Sequence, residues 1–175
     1  GKIDEVLMRL TDVLYGMPFL PFIIVLISLF GRQLEFVILS IVLIVWRTSA
    51  RVIRAQTMSI KQRQFIAMAK ARGASDFRII YRHILPNVMP LLLLYTAFNI
   101  AWSIISEASA SFLGFGDGDR ISWGGMLYEL LLSGKTRVAW WWFTAPSVCI
   151  VLLVVSLVFV SRAYEEVANP RLRKR

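Results

Sequence analysis

The sequence is poor in the residues that most catalysis and cross-linking require. It has one cysteine, Cys149, in an uncharged stretch, which excludes an internal disulfide framework and a thiolate metal cluster. It has one histidine, His83, which excludes a multi-histidine metal site. No glycine-rich phosphate loop ending in Gly-Lys-Ser or Gly-Lys-Thr occurs, nor any Ser/His/Asp or Cys/His constellation. Catalysis, ATP hydrolysis, a bound cofactor and a metal site are therefore not expected of this chain. Charge is also scarce: 18% of the 175 residues are charged, below the roughly 25% of a soluble domain. Acid is scarcer than base, 11 residues against 20, for a net +9. What remains is apolar, 57% of the chain, with a mean hydropathy of +0.64. Such a composition argues against disorder, and so short a chain cannot enclose that much apolar surface in its own core. No basic segment with a cleavage site precedes the first apolar run, so no signal peptide is expected. The chain reads as beginning inside a longer one.

Four apolar runs organise the sequence into one domain, residues 1–175. Val13–Gly31 is uncharged for 19 residues, Ile84–Ser106 for 23 and Val138–Ser161 for 24. As helices each is long enough for a hydrocarbon core about 30 Å thick. Phe36–Trp46 is shorter, but from Gln33 to Ala50 it reaches 18 residues, with Glu35 at one interface and Arg47 able to snorkel at the other. The expected fold is all-α, a polytopic transmembrane bundle of about four spans. Trp140, Trp141 and Trp142 at the start of the last span, and Trp46 at the end of the second, are expected at headgroup level. Residues 1–12, 47–83 and 162–175 together hold 16 Lys/Arg and 6 Asp/Glu, whereas 32–35 and 117–137 hold 4 of each. The positive-inside rule then puts the first set, and both chain ends, in the cytoplasm.

The 37 residues from Arg47 to His83 are too long for a casual connection. Arg47, Arg51, Arg54 and Met58 recur at helical spacing, so a basic face continues out of the second span. Phe65, Ile66 and Ala69 form an apolar patch. Gly73 can take positive φ and end a helix, and Ser75 can cap the next, with Asp76 in its first turn. In that second helix Phe77, Ile80 and Ile84 are expected on one side, Arg78 and Arg82 on another, and Pro86 is expected to end it. A basic helix on anionic lipid is one account of this loop. Nucleic-acid binding is disfavoured, because apolar positions interleave with the bases and the loop is tethered at both ends. A docking elbow that passes movement from a cytoplasmic partner to the spans is the sharper account.

Phe65-Ile66-Ala67-Met68-Ala69-Lys70-Ala71-Arg72-Gly73-Ala74-Ser75, then Ile79-Ile80 and His83-Ile84-Leu85-Pro86-Asn87, resembles the signature loop of binding-protein-dependent ABC importer permeases. The extended form resembles the dipeptide, oligopeptide and nickel branch, second-permease type. Arg9, Asp12 and Pro18, Trp46 with Ala50-Arg51, Glu107-Ala108 with Ser111 to Gly116, Ser122-Trp123-Gly124, and Asn169-Pro170-Arg171-Leu172 are similar to further landmarks of that branch. Ala67 and Met68 depart from the Glu-Ala-Ala-type triplet and Asn169 from a tail aspartate, so no salt bridge to a partner is expected from the triplet.

The resemblance implies a permease subunit of a peptide importer working by alternating access. Residues 47–87 would form its cytoplasmic coupling loop, with Phe65, Ile66, Ala69, Gly73, Ala74, Ser75, Ile80, His83, Leu85 and Pro86 as coupling positions. It implies two further spans ahead of the matched region, ATP and Mg handled by cytoplasmic ATP-binding subunits, a second permease, and an extracytoplasmic solute-binding protein. Nickel or another small solute is an alternative cargo. An ATP-independent channel or carrier, or a membrane scaffold, are alternative classes. Glu107, the acidic residue inside an apolar run, is assigned a gating or structural role. Asn99 and Ser103 are assigned to interhelical hydrogen bonding rather than substrate contact. His83 is expected to cap or pack. The Asp117/Asp119 loop lacks calcium-loop ligand spacing and fits an external loop facing the binding protein better. Substrate-contacting residues are not identified.

Overall fold

The computed structural model describes residues 1–168, with side chains as far as residue 163. The tail motif Asn169-Pro170-Arg171-Leu172 lies outside the described residues. Those described form helices and turns only: α1 (Lys2–Gly16), α2 (Phe19–Phe30), α3 (Leu34–Lys61), α4 (Gln64–Ala71), α5 (Asp76–Ile79), a π-helical turn (Ile80–Ile84), α6 (Leu85–Phe112), α7 (Trp123–Leu132) and α8 (Trp140–Ala168). Three stretches, Leu34–Lys61, Asp76–Phe112 and Trp140–Ala163, are long and apolar enough to cross a membrane. The bundle is polytopic, with α6 at its centre against α2, α3, α7 and α8.

The first apolar run is not one straight span. It breaks at Met17–Pro18, and α1 and α2 meet at 96°. A residue before proline is driven into extended backbone, and Met17 (φ −91°, ψ 128°) and Pro18 (φ −61°, ψ 128°) are both extended. The 12 residues of α2 cover roughly 18 Å, less than the hydrocarbon thickness. α1 instead crosses the far half of α3. Asp4 pairs with Arg54 and Asp12 with Arg51 at 2.6 Å each, Arg47 donates to the Leu14 carbonyl, and the Tyr15 ring lies beneath Arg47 and Arg51. The basic face that continues out of the second span therefore holds α1.

α3 runs 28 residues without a break to Lys61, so the helix continues past Trp46 through Arg47, Arg51, Arg54 and Met58, as their spacing predicts. α2 meets it through Ile23 and Ile27 against Val37, Ile41 and Ile44, all buried. Lipid is as apolar as these side chains, so van der Waals fit carries such contacts. Small residues on α6 (Ala101, Ser106, Ala108, Ala110 and Ser111) are buried and let several neighbours approach it closely. Hydroxyls along the spans bond inside their own helices: Ser40, Thr96, Ser106 and Ser156 each donate to the carbonyl four residues back. That satisfies a polar group where water is absent.

Two further points correct the sequence reading. Pro86 does not end a helix, because Asp76 to Phe112 is continuous. Proline lacks an N–H, so the regular i to i−4 ladder cannot pass Pro86 unbroken. The π turn before it makes the join, with Leu85 N–H donating to Ile80 O five residues back. Within residues 117–137, expected as a loop, α7 forms a ten-residue helix, capped by the Ser122 hydroxyl accepting from Gly125 N–H at 3.1 Å.

Candidate coupling elbow and membrane cleft

α4, the turn after it and α5 make an elbow at one end of the bundle. α4 closes on Arg72 and Gly73. Gly73 N–H donates to Lys70 O at 2.9 Å and Ala74 N–H to Ala69 O at 3.1 Å, with Gly73 at φ +77°. That pairing satisfies two carbonyls the helix would leave open and requires a left-handed residue. Two residues on, the Ser75 hydroxyl accepts from Arg78 N–H at 3.4 Å and starts α5, with Asp76 favourably placed at the positive helix end.

The coupling positions divide between inside and outside. Ile66 is 2% exposed and packs with Ile60, Ile79, Ile84 and Val88, while Phe65, Ala69 and Ala74 close in around them. These residues hold the elbow to the ends of α3 and α6. His83 is half-buried with its ring 6.2 Å from that of Phe65, and its carbonyl accepts from the Asn87 amide at 2.7 Å. Leu85 is half-buried and Pro86 exposed at the start of α6. Ile80 is exposed.

The face expected from Phe77, Ile80 and Ile84 is not formed. The wide π turn adds a residue to the spacing, so Ile79, not Ile80, lines up with Ile84 in the core. Phe77 and Tyr81 project outward at 77% and 67% exposure, their rings stacked 6.2 Å apart and 8° from parallel. Met68 is exposed too, as are Lys70, Arg72, Arg78 and Arg82. The outward surface is thus aromatic and basic. Phe77 and Tyr81 are absent from the sequence-derived coupling set, although their i, i+4 spacing was available as a signal.

At the other end, the loop after α6 closes over the bundle. The Asp117 carboxylate accepts from Leu34 N–H at 3.0 Å, capping α3 from a distance of 83 residues, and Arg120 reaches Glu35 at 3.5 Å. α7 lies directly on α6: a Cβ at Gly124 would stand 2.7 Å from the Ala108 Cα.

Below this cap, α3, α6 and the start of α7 line a cleft of about 770 Å³. Its α3 wall is apolar (Ile38, Ile41, Val42 and Val45). Its α6 wall carries Thr96, Asn99, Ser103 and Glu107. Asn99 donates to the Ser49 hydroxyl of α3 at 2.7 Å, the interhelical bond expected for it. Ser103 instead bonds the Asn99 carbonyl of its own helix. Glu107 is half-buried and accepts from the Ser111 hydroxyl at 2.6 Å.

Comparison with known proteins adds the family. Residues 1–174 match the family described as "Binding-protein-dependent transport system inner membrane component". The chain is 32% identical over 174 residues to the oligopeptide transport system permease protein OppC of Escherichia coli strain K12, covering 99% of this chain and 57% of that one. It is 32% identical over 178 residues to the dipeptide transport system permease protein DppC of Bacillus subtilis strain 168, covering 99% and 54%. With OppC of Haemophilus influenzae the identity is 31% over 174 residues, covering 99% and 55%. The chain therefore spans little more than half the length of these relatives. The long apolar helices and the match over nearly all its residues place this chain, a multi-pass membrane protein, in the family of binding-protein-dependent transport system inner membrane components.

Proposed function

We propose that the chain is the membrane-spanning part of a permease subunit in an ATP-driven importer that moves short peptides across the cytoplasmic membrane by alternating access. The observation that carries this reading is the elbow's attachment. α5, the π turn and α6 run on as one helix, so a push on the elbow would reach the central span through continuous helix. The aromatic and basic outer face of the elbow, around Phe77 and Tyr81, is the surface that cytoplasmic ATP-binding subunits would meet. Those subunits would bind and hydrolyse ATP with Mg, and this chain would bind no cofactor. The 16 Lys/Arg of the elbow side and chain ends support a cytoplasmic placement for them. The cap around Asp117 and α7 would then face a solute-binding protein, and a second permease would complete the path. Peptide cargo is supported by the relatives' names, which specify oligopeptide and dipeptide transport. Glu107, through Ser111, would brace the capped end of α6.

The test is reconstitution of the full-length permease with its partner permease, ATPase subunits and binding protein in vesicles. Di- and tripeptides should stimulate ATP hydrolysis and accumulate, whereas nickel should do neither. Gly73→Pro cannot adopt φ +77° and loses the donor to Lys70, so hydrolysis should persist while uptake collapses. Normal uptake by that variant would overturn the elbow's role.

A further inference from the structure

Thr96, Asn99, Ser103 and Glu107 fall at i, i+3, i+7 and i+11 on α6, a single polar line running about 16 Å along the cleft wall. Both hydroxyl donors and one of the two N–H groups of the Asn99 amide are already engaged. The Thr96 hydroxyl donates to Leu92 O at 2.8 Å, the Ser103 hydroxyl to Asn99 O at 2.8 Å, and the Asn99 amide to Ser49 at 2.7 Å. What these side chains can still offer the cleft is chiefly acceptors: hydroxyl lone pairs, an amide oxygen and, at the capped end, a carboxylate. Among the described residues no Lys or Arg lies within ion-pair distance of Glu107; the pairs formed are Arg51–Asp12, Arg54–Asp4, Arg120–Glu35 and Arg120–Asp117. A carboxylate whose one hydrogen-bond partner is the Ser111 hydroxyl, in a cleft lined mostly by apolar side chains, is a costly arrangement unless a cation visits it.

We infer that Glu107 is a substrate contact, the counter-charge for the α-ammonium of a peptide in transit, with Ser103 and Asn99 accepting from the peptide's backbone N–H groups. The apolar wall of α3 places no demand on side-chain identity, which suits a carrier of varied peptides that share one end group. The inference rests on the peptide-importer reading and adds to it the group that this chain recognises.

The experiment uses the same reconstituted complex and two labelled probes, Ala-Ala-Phe and its N-formyl form, which has lost the charged amine at little change in size. For each probe, uptake by a variant is divided by uptake by the unaltered protein. Glu107→Gln should lower uptake of the free-amine peptide about tenfold, the loss expected on removing one charge-assisted hydrogen bond. The N-formyl ratio should stay within about twofold of one, and Glu107→Asp should recover part of the free-amine uptake. An equal fall for both probes with Glu107→Gln would make Glu107 a purely structural brace and overturn the inference, as would no fall for either. Uptake of neither peptide by the unaltered complex would overturn the peptide reading itself, and this inference with it.

Discussion

The elbow and the cap each end a helix in the same way, and they do so in opposite surroundings. At Gly73, N–H groups of residues 73 and 74 return to carbonyls of 70 and 69. At Gly114, those of 114 and 115 return to 111 and 110, with φ +85°. The backbone device is the same. Yet nothing lies within 4 Å of where a Gly73 Cβ would be, whereas at Gly114 it would stand 2.9 Å from the Tyr128 ring. The elbow needs glycine for its conformation alone. The cap needs it for conformation and for space, because the Tyr128 ring packs where a side chain would stand. One region is a lever held by isoleucines; the other is a lid fitted through glycines.

The largest effect is expected from Gly124→Ala. Its methyl group would meet the Ala108 backbone rather than the end of a flexible side chain, so α7 must lift from α6. A loss of about 3 kcal/mol is expected, the upper part of the range for overpacking. It should appear as a lowered thermal midpoint in detergent and as cap opening reported by hydrogen exchange in α7. Gly114→Ala adds left-handed strain to displacement of the Tyr128 ring, which can swing aside, and should cost about 2 kcal/mol. Gly73→Ala adds strain alone and should cost about 1 kcal/mol. If the three variants destabilise equally by thermal unfolding, the distinction between lever and lid fails.

Legibility followed the range of the interactions. The elbow's turn is visible in the sequence because its determinants are local: a glycine for positive φ, and a serine two residues later with a hydroxyl for the next helix. The break at Pro18 has a local cause as well, but an uncharged run of suitable length masks it as a straight span. The π turn escapes a search at 3.6 residues per turn, and with it the inward position of Ile79 and the outward one of Ile80. α7 escapes because Gly124 and Gly125 look like loop residues until the close approach to Ala108 explains the first of them. Arg51 and Arg54 look like a free basic surface because their carboxylates lie 39 and 50 residues away. The acceptor line on α6 is partly legible, since Asn99, Ser103 and Glu107 recur at helical spacing. Which of their protons are already taken is not.

The π turn bears on where the elbow points. Five residues in its wider coil do the work of about one α-helical turn plus a supernumerary residue. In an α-helix each residue carries about 100° of azimuth. A chain with one residue deleted between Ile80 and Ile84 could continue as a smooth α-helix, yet its Phe77 and Tyr81 would emerge on a different bearing around the axis of α6. The heading of the lever is thus encoded by a count of residues, apart from any side chain that touches a partner.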